Sequence, residues 1–353
     1  MGFLERFIPY YDQDHEGRPI ETGSVLDHMQ RALAFTRGNK GRHGLPLLGF
    51  ADWNDTVNLE EGAESLFTAH LYGRVLLEMI ELMHVLGNTA NAAAYEAEYH
   101  QMQSCVENAA WDGSWYVRYF DADGNPIGSH INARGQIYVN GQSWAVISGF
   151  ASPEHAQQAM QSVYERLNTR YGIKLSAPGY DGFDPHVGGI TTYPPGAKEN
   201  GGIFLHANPW AMIAETMLGN GDRAYQYYCQ INPALRNDDI ERYEVEPYVY
   251  CQNILGDEHP QFGLGRNSWL SGTSSWTYQA ATKYILGVQS GYEGLLLQPC
   301  IPTIWNGFRV IRKFRGVEYH IEVHNPQHLS TGTIRMLVNG KAIAGNLIPL
   351  QPA

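Results

Sequence analysis

The sequence has few cysteines and few basic residues, and both shortages exclude classes of function. Its 353 residues include only Cys105, Cys229, Cys251 and Cys300, which are far apart and form no CxxC pair. This spacing indicates neither a zinc site nor a disulfide framework, so we predict a protein without metal in a reducing cytoplasm. Lys and Arg total 24 against 36 acidic residues, for a net charge of -12. A nucleic-acid partner is therefore not expected.

Long apolar runs are also missing. No stretch reaches the roughly 18 apolar residues that a membrane span needs, and charges occupy the N-terminal segment where a secretory signal needs an apolar core. We therefore expect no membrane partner. Aromatic residues, by contrast, make up 12% of the chain. This share suits either a carbohydrate-binding cleft or a large helical core.

Helical patterns dominate the first 288 residues. Ser24 and Asp27 form a capping box that opens a helix, and apolar residues at every fourth position from Phe67 to Met83 predict a long helix over 62–86 that ends at Gly87. A further helical pattern covers about 90–110. Two stretches with little periodicity, 175–208 and 236–273, are long enough to be functional loops.

Three tryptophans recur at a fixed spacing. Trp144, Trp210 and Trp276 are each 66 residues apart, and each lies near the start of a helical pattern. A repeat of this length corresponds to one helical hairpin plus a loop. The fold class we predict is mainly α, an (α/α) toroid of helical hairpins that forms an incomplete six-hairpin barrel. In this arrangement the three indoles pack the helices together and do not bind sugar.

The pattern changes after Gly287. Apolar residues alternate along 308–314 and 317–323, and Asn339-Gly340 is a hairpin signal. These features predict a small C-terminal β-sandwich cap. The predicted domains are a partial (α/α)6-barrel catalytic domain over 1–288 and a C-terminal β-sheet domain over 289–353.

One stretch combines chemistry-bearing residues more densely than the rest. Residues 44–59 place an apolar approach before Asp52, Trp53, Asn54 and Asp55. A sugar ring needs a flat apolar surface and hydrogen-bonding partners, and cleavage of its glycosidic bond needs a carboxylic acid that protonates the departing oxygen. The stretch therefore predicts a carbohydrate site in which Asp55 supplies the acid and Asp52 is a hydrogen-bonding neighbour.

Four ordered motifs carry a resemblance. GLP at 44–46 with DWND at 52–55, KENGGIFLH at 198–206, EPYVYCQN at 246–253 and WLSGT at 269–273 together resemble the cellobiose phosphorylase family, glycoside hydrolase family 94. The resemblance implies an inverting phosphorolysis of a β-glucoside such as cellobiose by inorganic phosphate. The products are α-glucose 1-phosphate and the acceptor sugar, and phosphate is a co-substrate with no cofactor required.

The resemblance also implies roles for individual residues. Asp55 matches the general acid, and Ser271 stands where relatives commonly carry threonine, which keeps the hydroxyl group. The remaining matches form two groups, substrate-binding residues and phosphate-binding residues. The substrate-binding group is Trp53, Tyr193, Lys198 and Glu199; the phosphate-binding group is His206, Gln252, Ser271 and Gly272.

The sequence departs from the family pattern at its front. Family members carry a β-sandwich, several barrel helices and a donor-sugar Arg and Asp ahead of the acid motif, and the first 50 residues hold no counterpart. We therefore expect the C-terminal part of a phosphorylase that forms a homodimer or binds a complementing N-terminal chain. The alternatives are a cellobionic acid or chitobiose phosphorylase, a weakly active or inactive carbohydrate- and phosphate-binding fragment, and an inverting glycosidase with Glu199 or Glu246 as second carboxylate.

Overall fold

The computed structural model describes residues 2–332 and 334–350. Nine α-helices occur in these residues: α1 Val25–Gly38, α2 Leu66–Val85, α3 Thr89–Ala109, α4 Val139–Ile147, α5 Pro153–Arg166, α6 Asn208–Met217, α7 Gly221–Ile231, α8 Ile240–Tyr243 and α9 Thr273–Gln279. A π-helical turn, Ala280–Ile285, continues α9, and 3-10 helices cover Gly189–Thr192, Leu205–Ala207 and Pro233–Asp239. None of the helices within the described residues is long and apolar enough to cross a membrane.

The helix boundaries follow the local signals in the sequence. Ser24 Oγ accepts a hydrogen bond of 3.1 Å from the backbone N–H of Asp27 and caps α1. Gly87 ends the next helix with φ +73°, a left-handed conformation that glycine adopts without steric cost. The helices predicted over 62–86 and 90–110 are confirmed as α2 and α3, with ends shifted by a few residues.

The helices form hairpins arranged in two rows. Consecutive helices pack as the pairs α2/α3, α4/α5 and α6/α7. One member of each pair belongs to an inner row, in which α2 contacts α4, α4 contacts α6, and α6 contacts α9. Every residue of α4 is buried, whereas α5 buries only one stripe. The predicted helical hairpins are confirmed, and their closure into a six-hairpin toroid stays a prediction.

The three evenly spaced tryptophans meet at the centre of the inner row. Ring centroids lie 5.5 Å apart for Trp144 and Trp210, 5.8 Å for Trp210 and Trp276, and 6.3 Å for Trp144 and Trp276. Each pair packs edge to face, the arrangement that aromatic quadrupoles favour. The prediction that these side chains pack α4, α6 and α9 together is confirmed.

The described strands pair antiparallel, and all but the two eight-residue strands Gly307–Phe314 and Val317–His324 have two to four residues. They are β1 Phe7–Pro9, β2 Thr22–Ser24, β3 Glu64–Ser65, β4 Tyr119–Phe120, β5 Pro126–Ile127, β6 Ile137–Tyr138, β7 Asn168–Thr169, β8 Gly172–Ile173, β9 Ser176–Ala177, β10 Ile203–Phe204, β11 Cys251–Ile254, β12 Gly265–Ser268, β13 Val288–Ser290, β14 Gly294–Leu297, β15 Gly307–Phe314, β16 Val317–His324, β17 Met336–Val338, β18 Lys341–Ile343 and β19 Leu347–Pro349. The sheet β10-β11-β12 bears on function, because it lies beside the site described below.

The C-terminal strands share a core of their own. β15 pairs with β16 from Gly307 opposite His324 to Phe314 opposite Val317, and β17 pairs with β18 across the Asn339-Gly340 turn. Apolar side chains from separate sheets pack together in that core: Val288, Leu295, Leu297, Ile321, Met336 and Ile348. Both predicted hairpins are confirmed. The sandwich topology and the division at 288/289 stay predictions.

Candidate active site

A cavity of about 420 Å³ opens beside the β10-β11-β12 sheet. It brings together the nine site residues predicted from the sequence, along with Phe204 and Leu270. The lining residues are Trp53, Asp55, Tyr193, Lys198, Glu199, Phe204, His206, Gln252, Leu270, Ser271 and Gly272. The lining residues within 193–206, at 252 and within 270–272 come from the two stretches with little helical periodicity, 175–208 and 236–273. The roles of the nine residues remain predictions, since the cavity establishes only that they lie together.

The sheet explains how residues distant in sequence reach one wall of the cavity. His206 follows β10, Gln252 lies within β11, and Ser271 and Gly272 follow β12. The strands are antiparallel, with Phe204 opposite Asn253 and Cys251 opposite Ser268. Alternation along β11 buries Cys251 and Asn253 and leaves Gln252 half-buried at the cavity.

This wall carries polar atoms that lack partners among the described residues. His206 Nε2 and Gln252 Oε1 are both buried and form no hydrogen bond there. Burial lowers the pKa of His206, so its ring is neutral near pH 7 and donates through one nitrogen only. Ser271 Oγ accepts a hydrogen bond of 3.0 Å from the backbone N–H of Thr273. Buried polar atoms without partners are costly, so this wall is suited to a polar ligand.

Trp53 forms an aromatic boundary between the acid loop and the sheet. Its indole lies edge to face against Phe204 at 5.2 Å, His206 at 5.4 Å and Trp210 at 5.2 Å between ring centroids. Trp210 in turn belongs to the central tryptophan cluster. The packing of Trp53 therefore fixes the loop that carries Asp55 relative to the helical core.

A tight turn presents Lys198 and Glu199 in different directions. Ala197 and Asn200 form a β-bridge across the turn, and Lys198 has φ +50°, in the left-handed region. Its Nζ lies 5.3 Å from the ring centroid of Tyr193 and forms a cation–π contact. Glu199 points inward instead and is only 5% exposed.

Glu199 lies beside the exposed Asp55, and the two carboxyl groups form a pair. Asn54 Nδ2 and Thr56 Oγ1 donate hydrogen bonds of 3.0 and 2.9 Å to Glu199 Oε2, and the Asp55 carboxyl lies within hydrogen-bonding range. Burial raises the pKa of Glu199 to about 7; the donors oppose this rise and Asp55 adds to it. A second carboxyl group this close disfavours ionisation of Glu199.

Asp52, the other carboxylate of the motif, has structural contacts and does not line the cavity. Its carboxylate lies 2.7 Å from Nη1 of the fully buried Arg118 and accepts a hydrogen bond of 2.6 Å from Ser65 Oγ. Burial alone would raise the pKa of Asp52, but Arg118 and the hydrogen bonds lower it on balance. Asp52 is therefore ionised at neutral pH and anchors the acid loop, as expected from the sequence.

Some residues around the cavity were missed from the sequence. Phe204 belongs to the KENGGIFLH motif and Leu270 to the WLSGT motif. Their places in these motifs could have identified them as site residues. Arg118 carried no motif, and a buried arginine is not distinguishable from an exposed one in a single sequence. Among the described residues, no group of three or more His, Cys, Asp and Glu side chains could hold a metal ion.

A carboxyl pair in an aromatic-walled cavity, set on helical hairpins, is compatible with a carbohydrate-active protein of the helical-barrel type. The chain belongs to the glycosyl hydrolase 94 superfamily, because the family's catalytic-domain model matches residues 1–287. This membership confirms the family resemblance of the four sequence motifs.

Two relatives that match nearly the whole chain are named as phosphorylases. The chain is 41% identical over 350 residues to N,N'-diacetylchitobiose phosphorylase from Vibrio proteolyticus and 32% identical over 353 residues to solabiose phosphorylase from Paenibacillus borealis. Each alignment covers 99% of this chain but only 43% and 45% of the respective relative. The chain thus spans less than half the length of these relatives.

A solved structure described as a sialidase shares the fold. It superimposes with a TM-score of 0.61 at 14% sequence identity, covering 90% of this chain and 30% of that one. At this identity the similarity concerns the fold alone. It is compatible with a helical-barrel architecture.

Proposed function

We propose that the chain catalyses inverting phosphorolysis of a β-linked disaccharide, with Asp55 as the general acid. The observation that carries the proposal is the cavity itself, in which Asp55 and the polar wall of His206, Gln252, Ser271 and Gly272 line the same space. Membership of the family and the phosphorylase relatives support the same reaction class.

The proposed reaction needs one acid. A phosphate oxygen attacks the anomeric carbon from the face opposite the leaving group, the bond from that carbon to the bridging oxygen breaks, and the proton of Asp55 passes to this oxygen. The products are an α-sugar 1-phosphate and the free acceptor sugar. Phosphate is already anionic, so it needs positioning rather than deprotonation, and no second catalytic carboxylate is required.

The polar wall has the chemistry to position phosphate. In the proposal His206 donates one N–H, Ser271 its hydroxyl, Gln252 its amide, and Gly272 allows the anion to approach the backbone closely. Binding would give partners to the unsatisfied polar atoms of this wall. A neutral histidine adds a hydrogen bond without adding a charge, which suits reversible binding of a co-substrate.

Trp53, Tyr193, Lys198 and Glu199, which line the same cavity, are proposed to contact the sugar. The identity of that sugar is a finer proposal. The similarity to a diacetylchitobiose phosphorylase makes N,N'-diacetylchitobiose the first disaccharide to test. Cellobiose, the leading prediction from the sequence motifs, is the second, and cellobionic acid is the third.

Inverting hydrolysis by water fits the geometry less well. That mechanism places two carboxyl groups roughly 6.5–9.5 Å apart so that a water molecule fits between them. Glu199 lies within hydrogen-bonding range of Asp55, which is too close. Glu246 accepts a hydrogen bond of 3.3 Å from Trp269 Nε1 and does not line the cavity. Neither Glu199 nor Glu246 therefore has the position that a second catalytic carboxylate requires.

The test is an assay of the purified chain in both directions. We expect release of sugar 1-phosphate from disaccharide and phosphate, disaccharide synthesis in reverse, and a loss of about 10²–10⁴-fold in kcat for Asp55→Asn. The exposed Asp123→Asn is the matched control and should retain activity. Phosphate-independent hydrolysis would contradict the proposal.

A second outcome would favour a binding fragment. Phosphate and sugar binding measured by calorimetry, without turnover in either direction, would support that alternative. The assay is repeated with an N-terminal fragment of a longer relative added in trans. Light scattering tests the predicted homodimer or complementing chain, and cell fractionation tests the predicted cytoplasmic location.

A further inference from the structure

Two exposed aromatic rings adjoin the cavity without lining it. Trp269 is 68% exposed and Tyr248 is 74% exposed, with ring centroids 6.5 Å apart at an interplanar angle of 63°. Trp269 directly precedes Leu270, which lines the cavity. Its carbonyl oxygen accepts a hydrogen bond of 3.0 Å from the backbone N–H of Ser271, another lining residue. The Trp269 backbone is thus attached to the cavity wall.

Trp269 holds its exposed position at a conformational cost. Its φ is +69°, in the left-handed region that is unfavourable for a residue with a bulky side chain. Its Nε1 donates a hydrogen bond of 3.3 Å to Glu246 Oε1, which orients the indole while most of its surface stays exposed. Backbone strain at an exposed aromatic residue is typical of a binding surface, because burial in a core does not compensate for it.

The side chains around this indole suit a sugar ring. A pyranose packs an apolar face of C–H groups on a flat aromatic ring, and its hydroxyl groups need hydrogen-bonding partners. Trp269 supplies the flat ring. Among the described residues Glu246 Oε2 has no partner, so it can accept a hydrogen bond from a sugar hydroxyl, and the Tyr248 hydroxyl can donate or accept one.

The same surface is too small for a protein partner. At their exposures the two rings present at most about 350 Å², whereas a stable interface buries roughly 800 Å² on each partner. A single sugar unit needs only one indole face and a few hydrogen bonds. The size of the surface therefore favours a carbohydrate over a macromolecule.

We propose that Trp269, Tyr248 and Glu246 form an outer sugar subsite. It binds the third unit of a β-linked oligosaccharide whose first two units occupy the cavity. The inference rests on the proposed function for its cavity ligand, and it extends the substrate class from disaccharides to oligosaccharides. Residues 269–272 run without interruption from this subsite into the cavity wall, so a chain of linked sugars can contact both.

The test compares a trisaccharide with the matching disaccharide by calorimetric titration of the full chain. One pair is N,N',N''-triacetylchitotriose with N,N'-diacetylchitobiose, and the other is cellotriose with cellobiose. In at least one pair we expect the trisaccharide to bind about tenfold more tightly, because its additional unit packs on an aromatic ring. Equal affinities within each pair, or no binding of any of the four sugars, would overturn the inference.

Trp269→Gly removes the ring and should reduce the affinity ratio of trisaccharide to disaccharide to about one. Glycine adopts positive φ without steric cost, so the melting temperature of this variant should not fall. Trp269→Tyr keeps a flat ring and should retain most of the ratio, whereas Tyr248→Ala should reduce it in part. Tyr11→Ala is the matched control, because Tyr11 is 95% exposed and does not adjoin the cavity lining in sequence.

A Trp269→Gly variant that keeps the tenfold ratio would contradict the subsite, and a fall in melting temperature with an unchanged ratio would assign Trp269 a structural role instead. Self-association of the unmodified chain that Trp269→Gly abolishes, measured by light scattering, would show that the rings contact a second copy and would also overturn the inference. The titrations need no turnover. A chain that prefers the trisaccharide but releases no sugar 1-phosphate counts against the proposed function alone, and a chain that catalyses phosphorolysis with equal affinities counts against the subsite alone.

Discussion

Gly272 lies directly against the imidazole of His206. A Cβ atom at position 272 would come within 3.0 Å of Cε1 and 3.2 Å of Nε2 of that ring, closer than ordinary van der Waals contact. Any side chain at 272 would therefore move His206 within the proposed phosphate-binding wall.

We expect Gly272→Ala to weaken phosphate binding by about tenfold, the effect of losing one good hydrogen bond, with little change in the free energy of unfolding. Calorimetric titration with phosphate and a thermal melt measure the two quantities. Gly182→Ala is the matched control, since a Cβ there meets nothing within 4 Å. Equal phosphate affinity of both variants would show that the role of His206 in phosphate binding does not depend on its contact with Gly272.

The acid pair makes stability depend on pH. Burial raises the pKa of Glu199 from 4.5 to about 7, so the folded chain binds more protons than the unfolded chain between these values. Stability is then complete below about pH 4.5 and falls as pH rises toward 7. Glu199→Gln removes this loss and should be more stable than the unmodified chain at pH 8, by at most about 3 kcal/mol.

Chemical denaturation at pH 4.5, 6 and 8 measures this difference. The stability gained by Glu199→Gln should grow between pH 4.5 and 7 and then stay constant. Contributions from His206 and Asp52 cancel because both chains carry them. A gain that is independent of pH would mean that the Glu199 carboxyl is not perturbed in the folded chain.

The Asp52–Arg118 pair should show strong energetic coupling. Arg118 is fully buried and the Asp52 side chain is 4% exposed, so removing one partner leaves a buried charge uncompensated. We expect Asp52→Asn and Arg118→Met each to cost about 3–5 kcal/mol of unfolding free energy. The double variant should cost less than their sum by about 1–3 kcal/mol.

Urea denaturation of the unmodified chain, the two single variants and the double variant gives the coupling energy. Arg309 and Glu322 provide the comparison pair, because they are 80% and 44% exposed with a similar separation of 2.8 Å. A cycle on that surface pair should yield less than about 1 kcal/mol. Additive effects of Asp52→Asn and Arg118→Met would contradict the anchoring role assigned to Asp52.

The accuracy of the sequence predictions depended on how local each signal was. Caps such as Ser24 and the apolar repeat from Phe67 to Met83 lie within one helix, so helix positions could be predicted to within a few residues. Two-residue strands such as β3 and β10 are too short to alternate, and they form only because a distant segment pairs with them. No periodicity in the sequence signals such strands.

The same distinction applies to the site. Eight of the nine predicted site residues lie in the four sequence motifs, Tyr193 being the exception, and the structure brings all nine to one cavity. The contact of Asn54 with Glu199 joins residues 145 apart, and that of Asn54 with Arg118 joins residues 64 apart. Such contacts depend on the packing of whole hairpins, so the pairing of Glu199 with Asp55 and the role of Arg118 could not be read from the sequence.

The tryptophan cluster at the centre of the inner helices should be a major source of stability. Trp210 is 2% exposed and contacts both Trp144 and Trp276, while its Nε1 has no partner among the described residues, so its contribution is from packing. We expect Trp210→Ala to cost about 3–5 kcal/mol, the usual range for deleting a buried aromatic side chain. Trp276→Ala should cost less, because Trp276 is only partly buried.

Tyr278 supplies the control for this comparison, since it lies on α9 with Trp276 but is 58% exposed. Tyr278→Ala should change the free energy of unfolding by less than about 1 kcal/mol. If Trp210→Ala proved as mild as Tyr278→Ala, the inner helices would be held by contacts other than the cluster. We expect the loss of unfolding free energy to be largest for Trp210→Ala, smaller for Trp276→Ala and smallest for Tyr278→Ala. This order follows burial, because a more buried side chain loses more packing contacts when it is removed. It would show that the tryptophans spaced 66 residues apart stabilise the protein by packing together.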